Sequence, residues 1–241
     1  MVGSGANRLT QARAWVAERA ATLGLPASVG PLCETAVSKL RVSGATLTMD
    51  TAPGWPETRY ATDMLGERLA ELQVTVGEGP GVDARREGGP VLVADLDAPA
   101  SQRRWPVFAP LAIEAGAGAL FTLPLCVGAI RVGVLALHRV EAGRLEPATL
   151  TDSLAFAALA RGLLLDEQAG LRTAGSGPAA FDLPLHRPQV HQATGMISAQ
   201  LGVGMEDAFA RLRARAFAAQ RPLAELAADV VAHRVRFDPT G

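Results

Sequence analysis

The sequence predicts an α+β fold over residues 8–172 and an all-α module of three short helices over residues 187–236, joined by a linker at residues 173–186. Three observations carry this. The patterned segments of the front part run helix, strand, strand, helix, loop, strand, helix, strand, strand, helix, which does not repeat a βαβ unit. That order predicts an antiparallel sheet with helices segregated to one face. The stretch Thr173-Ala-Gly-Ser-Gly-Pro-Ala-Ala-Phe-Asp-Leu-Pro-Leu185 is small and proline-bearing, as a linker is. The last fifty residues differ in charge: seven arginines (187, 211, 213, 215, 221, 234, 236) face Glu206, Asp207, Glu225 and Asp229, a net of +3 in a chain whose total is −1. Local arginine excess on a small helical unit favours a polyanionic partner.

Each element has a local reason. Residues 8–23 place Leu9, Ala12, Val16, Ala20 and Leu23 at helical spacing, ended by Gly24 and Pro26. A second helix is expected over 31–40. Residues 44–49 and 59–61 read as strands around a Pro/Gly turn at 52–56. Thr62 is the expected N-cap of a helix over 63–71, whose inner face is Leu65, Leu69 and Leu72. A loop at 74–81 leads to a short helix at 82–87, a strand at 90–95 and a helix at 105–116. Strands at 119–127 and 131–139 follow, joined by a tight turn at Gly128-Ala129. Pro147 then opens a long helix to about residue 171.

In the C-terminal module, helices are expected over 188–201, 204–220 and 222–236. Their inward positions are Val190, Ala193, Ile197 and Leu201, then Ala208, Phe209, Leu212 and Ala216, then Leu223, Leu226, Ala227, Val230 and Val231. Phe209 falls in this core phase and is read as packed rather than as a base-stacking platform. So small a unit gains from dimerisation or from the front domain.

Composition bounds the function classes. At 241 residues with a 49% hydrophobic fraction the chain can bury full cores. Neither an apolar run near the roughly 18 residues of a membrane span nor a basic-then-apolar leader is seen. The expectation is a soluble cytoplasmic protein with no membrane partner. Cys33 and Cys126 lack metal-ligand spacing and are read as reduced thiols, so no metal and no cofactor are expected.

The string Val76-Gly-Glu-Gly-Pro-Gly-Val-Asp-Ala84 is followed by Pro90-Val-Leu-Val-Ala-Asp-Leu96 and Arg104-Trp-Pro-Val-Phe-Ala109. Phe121-Thr-Leu-Pro-Leu125 and Arg131-Val-Gly-Val-Leu-Ala-Leu137 complete the series, which together resembles a GAF domain of the type found in actinobacterial regulators. The resemblance covers about residues 8–170 and implies a sensor fold without naming its ligand. The tail motifs are Gln192-Ala-Thr-Gly-Met-Ile197, Leu201-Gly-Val203, Ala208-Phe209, Leu212-Arg213, Ala216 and Leu226-Ala-x-x-Val-Val231. They resemble the ANTAR domain, a family of RNA-binding antitermination modules, over essentially all of 187–236. The resemblance implies binding to paired hairpins in nascent RNA, which blocks terminator formation. Arg213 matches the arginine of the family's Leu-Arg pair, and Thr194 stands where the family often has lysine.

Physical chemistry adds candidates. Arg211 and Arg215 are i, i+4 on one helical face, spaced to grip phosphates, with Arg221 at the following turn. Gln189 and Gln192 offer amides for base edges. The expected RNA-binding set is therefore Gln189, Gln192, Thr194, Arg211, Arg213, Arg215 and Arg221. Alanine at Arg213 and Arg215 together is expected to weaken RNA binding. The third helix is too apolar to read a DNA major groove. In the front domain, strand position nominates Leu47, Met49, Val93, Phe121, Leu123 and Leu135 as pocket-lining residues.

Gly77-x-Gly79 lacks the Gly-Lys-Ser/Thr of a phosphate loop. His138 has no companion ligand at useful spacing, and no catalytic residue set is assigned. A phosphoreceiver would need a lysine late in its sheet, whereas Lys39 is the only lysine. Two functions remain open. One is a non-enzymatic, dimeric RNA-binding antiterminator whose front domain senses a small molecule or a protein. The other is a ligand-binding or dimerisation scaffold that binds no nucleic acid.

Overall fold

The computed structural model describes residues 3–51, 55–168 and 188–238; the expected linker lies outside the described residues. The described elements are α1 (Gly3–Leu23), α2 (Val29–Leu40), β1 (Gly44–Thr51), β2 (Trp55–Ala61), α3 (Met64–Val76), α4 (Pro80–Glu87), β3 (Val91–Val93), α5 (Pro99–Arg104), α6 (Phe108–Glu114), β4 (Ala119–Val127), β5 (Ile130–Arg139), α7 (Pro147–Gln168), α8 (Pro188–Leu201), α9 (Met205–Ala218) and α10 (Leu223–Val231). The five strands form one antiparallel sheet in the order β2-β1-β5-β4-β3.

Helices cover both faces of this sheet, where the sequence order suggested one. The reason is visible in β4, whose Ala119, Leu120, Phe121, Thr122 and Leu123 are all buried, so neither side of the strand can meet water. One face carries Ala45, Leu47, Phe121, Leu123, Leu135 and Leu137 against α1, α2 and α7. The opposite face carries Val91, Val93 and Leu120 against α3, α4 and α6, with Trp105 and Phe108 in that layer. Over residues 147–167, α7 is long and apolar enough by composition to cross a membrane. It packs instead against α1, α2 and β4, with Phe156, Ala160 and Leu164 fully buried.

Several boundaries moved for local reasons. Asp63, not Thr62, caps α3: its carboxylate accepts from the Gly66 amide at 2.7 Å, while the Thr62 hydroxyl accepts from Ala45 N at 2.9 Å and fastens β1. Helix α3 continues to Val76 because Gly77, at φ 74°, supplies the left-handed cap. The third helix of the module stops at Val231. His233 there adopts φ 58°, and the chain turns back to bury Phe237 in the helical core.

The glycine-rich loop after α3 is a structural clasp. The Gln73 side chain accepts from the Gly81 amide at 2.6 Å and donates to Leu69 O at 3.2 Å. A Cβ at Gly79 would stand 2.6 Å from Gln73 Cγ, so the chain can close over this side chain only as glycine. The remaining motif residues stitch neighbours together. Asp83 accepts from Trp105 Nε1 at 3.0 Å and from Arg104 Nε at 2.8 Å. Glu78 accepts from the amides of Val107 and Phe108 at 2.7 and 2.8 Å, closing the open end of α6. Glu78→Ala is expected to cost about 1 kcal/mol, as loss of a helix cap does; a urea-unfolding midpoint unchanged from the parent would refute the capping role.

Candidate nucleic-acid interface and sensor cavity

The three C-terminal helices close on Val190, Ala193, Ile197, Ala208, Leu212, Ala216, Leu226, Ala227 and Val230, all buried. Alanines at four of these positions let the helix axes approach closely. Phe209 is packed in the same core. Leu201 and Val231 are half-buried at its edge. The module does not stand apart, because α9 lies on α3 and Val74 of α3 reaches into the helical core. Beside this contact His191 Nε2 is 2.6 Å from Glu57 Oε1 on β2.

The expected RNA residues separate on this framework. Gln189, Gln192, Arg211 and Arg215 are exposed. Arg211 and Arg215, one turn apart, line an open cleft of about 650 Å³ with Ala214, Ala218, Arg236, Phe237 and Asp238. Arg215 lies over the Phe237 ring at 4.8 Å and donates to the Arg236 carbonyl at 2.7 Å. Arg236 enters this cleft through the turn-back of the chain, which helical periodicity could not show. Arg221 is drawn off elsewhere: it pairs with Asp229 at 2.7 Å, and Arg234 shares that carboxylate at 2.5 Å. Hydrogen bonds from Arg221 and then Arg234 hold the Asp229 carboxyl below the usual carboxylate range.

Of the two remaining expected residues, one is buried and one half-buried. Thr194 is fully buried, and its hydroxyl donates to the Val190 carbonyl at 2.7 Å, so this is a correction: the side chain is part of the helical core and unavailable to RNA. Arg213 is two positions from both Arg211 and Arg215, about 200° around the helix from either. It points at the front domain, over the Phe209 ring at 5.5 Å and against Gly77. Burial pulls its guanidinium down from the ordinary arginine value, and no ion-pair partner for it occurs among the described residues.

Arg213 and Phe209 close one side of a cavity of about 270 Å³ whose other walls are the sheet, α3 and α4. From the sheet come Thr46, Thr48, Leu120, Val134, Ala136 and His138; from the helices come Leu69, Ala70, Gln73 and Arg85. The pocket residues nominated from strand position stand elsewhere. Leu47, Phe121, Leu123 and Leu135 fill the core on the other face of the sheet, and Met49 packs at its edge. Val93 is buried in the layer of α4 and Trp105. A strand's alternation defines two faces; it does not say which one is incompletely filled.

Polar groups in the cavity are few and constrained. Asp50 and Arg85 face each other at 3.3 Å. Burial raises the Asp50 carboxyl and lowers the Arg85 guanidinium from their usual values, and each charge partly offsets the other's shift. Thr46 Oγ1 and His138 Nε2 are buried without a hydrogen-bond partner. His138 Nε2 is 3.3 Å from Asp63 Oδ2, close enough for attraction but out of line for a hydrogen bond.

Burial holds the His138 imidazole below its ordinary 6.5, with Asp63 opposing only part of the shift. A base whose folded pKa lies below its unfolded one gives full stability above the unfolded value. That stability is lost as pH falls toward the folded value. The urea midpoint should therefore decline as pH drops from about 7 to about 5.5, and His138→Gln should flatten this decline. Equal slopes in parent and variant would exclude His138 as the cause.

No group of three or more His, Cys, Asp or Glu side chains suited to a metal occurs among the described residues. Neither Cys33, which is buried, nor Cys126, which is half-buried, is in a disulfide.

The ANTAR domain family matches residues 185–231. The GAF domain of a phosphoenolpyruvate-protein phosphotransferase (ptsP) from Coxiella burnetii superposes with a TM-score of 0.50 at 13% identity, covering 67% of this chain and 97% of that one. The GAF domain of the Acinetobacter phosphoenolpyruvate-protein phosphotransferase gives 0.49 at 10% identity, covering 69% and 97%. The second GAF domain of DevS from Mycobacterium smegmatis gives 0.43 at 16% identity, covering 59% and 94%. Among curated proteins none matches this sequence. At such identities the Coxiella structure speaks for fold alone. The chain is a protein in which an ANTAR domain follows a domain of the GAF fold.

Proposed function

We propose that this protein is a non-enzymatic cytoplasmic regulator, acting as a homodimer, that binds paired RNA hairpins in nascent transcripts and causes antitermination. The observation that carries the reading is the pairing of an ANTAR match at 185–231 with the exposed Arg211 and Arg215 on α9, which face a cleft closed by the tail at Arg236. Arg211, Arg215 and Arg236 meet phosphates there, and Gln189 and Gln192 meet base edges. Arg213 joins them only when α9 leaves the front domain. The GAF-fold domain is the sensor, and its cavity takes the signal.

The test is binding of the full chain to labelled paired-hairpin RNA across a salt series, beside duplex DNA of matched sequence. Affinity for RNA alone, falling steeply with salt, is the expected result. Failure of both this chain and its Val74→Glu variant, which frees the module from α3, to bind RNA would overturn the reading in favour of a scaffold.

A further inference from the structure

The cavity belongs to both domains, and that fixes what can fill it. Its front-domain walls are mostly apolar, as Leu69, Ala70, Leu120, Val134 and Ala136 show. Arg85 already faces Asp50 at 3.3 Å, with Arg131 close enough to act on both. The remaining positive group is Arg213, half-buried and contributed by the ANTAR helix. A single guanidinium matches a single carboxylate in a two-pronged contact. Glu206 lines the same cavity, so a singly charged carboxylate meets less repulsion there than a doubly charged phosphate. Thr46 Oγ1 is buried without a hydrogen-bond partner, and His138 Nε2 has only Asp63 Oδ2 nearby at 3.3 Å; both side chains are 2% exposed.

Gly66 packs beside Thr46 and His138, and Gly77 beside Arg213. Gly77 comes eleven positions after Gly66, roughly 16 Å along α3. The occupant is therefore elongated, with a carboxylate at one end, an apolar body and a hydrogen-bonding group at the other.

We propose that the interdomain cavity binds an elongated apolar carboxylic acid bearing a distal hydroxyl or carbonyl, and that this ligand holds the ANTAR module against the sensor domain. Its carboxylate pairs with Arg213; its far end serves Thr46 and His138. Because both domains must be in place to complete the site, the acid stabilises the docked arrangement and opposes any partner that needs α9 free. Linkage then requires acid and RNA to weaken each other by the same factor. This last step rests on the RNA-binding reading above; the acid site itself does not.

The experiment is isothermal titration of the full chain, without RNA, using ω-hydroxydecanoate, decanoate and the neutral ω-hydroxydecanamide as probes. The hydroxy acid should bind roughly 10- to 100-fold more tightly than its amide. Arg213→Gln should abolish that preference and Arg213→Lys should restore part of it. Thr46→Val should remove the advantage of the hydroxy acid over decanoate. Equal binding of acid and amide, no binding of any probe to the folded chain, or an acid preference that survives Arg213→Gln would each overturn the site. Saturating hydroxy acid should also lower hairpin-RNA affinity. Acid binding with RNA affinity unchanged would overturn the coupling, whereas acid binding by a chain that never binds RNA would leave the site and remove only the RNA reading.

Discussion

Val74→Glu should raise the affinity of the full chain for hairpin RNA by about tenfold or more. Val74 is a front-domain residue whose side chain is shared with the ANTAR core, beside Val190, Phe209 and Leu223. A carboxylate there would be half-buried among apolar groups and would stand near Glu57 and Glu71. An uncompensated charge in such a place costs roughly 3 kcal/mol, which moves a docked-to-free ratio by about two decades. Little in the front domain depends on this side chain, since it is absent from both cores on either side of the sheet. The expected signature is an unchanged melting transition for that domain together with faster amide exchange in α9 and tighter RNA binding. RNA affinity equal to the parent's would mean that the docked module already binds, and that Arg213 is not one of its contacts.

The same substitution shows why part of the site was hidden from sequence. Periodicity identified the buried stripe of each module helix, and Ala193, Ile197, Leu212, Ala216 and Leu226 all lie at the core. It could also see that Arg211 and Arg215 share a face while Arg213 does not. What it could not see is the surface that the other face meets. Docking of α9 on α3 depends on the shapes of the two surfaces that meet, and no local pattern in either records it.

Thr194 failed for a related reason. A hydroxyl on a helix is satisfied by the carbonyl four residues back, so a threonine can be buried at no polar cost. Family position alone made it look exposed. The cavity was misjudged because both sheet faces are packed, one completely and the other with a gap under α3 and α4. The motif strings, by contrast, were legible as fold: Gly79, Asp83, Glu78 and Trp105 fasten neighbouring segments to each other.

Arg211→Ala combined with Arg215→Ala should lower RNA affinity on the order of 100-fold while leaving the docked arrangement intact. Both side chains are exposed on the cleft side of α9, away from α3, and neither takes part in an ion pair among the described residues. Both can exchange water and counterions for a phosphate, Arg215 from its seat on Phe237, and loss of a contact to a charged group is worth roughly 1.5 kcal/mol. Pairing the substitutions this way matters, because Arg213 reports on two events at once. Removing it deletes a phosphate contact in the free module and also empties the positive wall of the cavity in the docked one. In the Arg211/Arg215 pair only the first kind of event is altered. The slope of log affinity against log salt should fall by roughly 1.5 units, the counterions of two phosphates. A loss of affinity with an unchanged slope would point to a structural role for Arg215 through Phe237, and unchanged affinity would move the phosphate path off this cleft altogether.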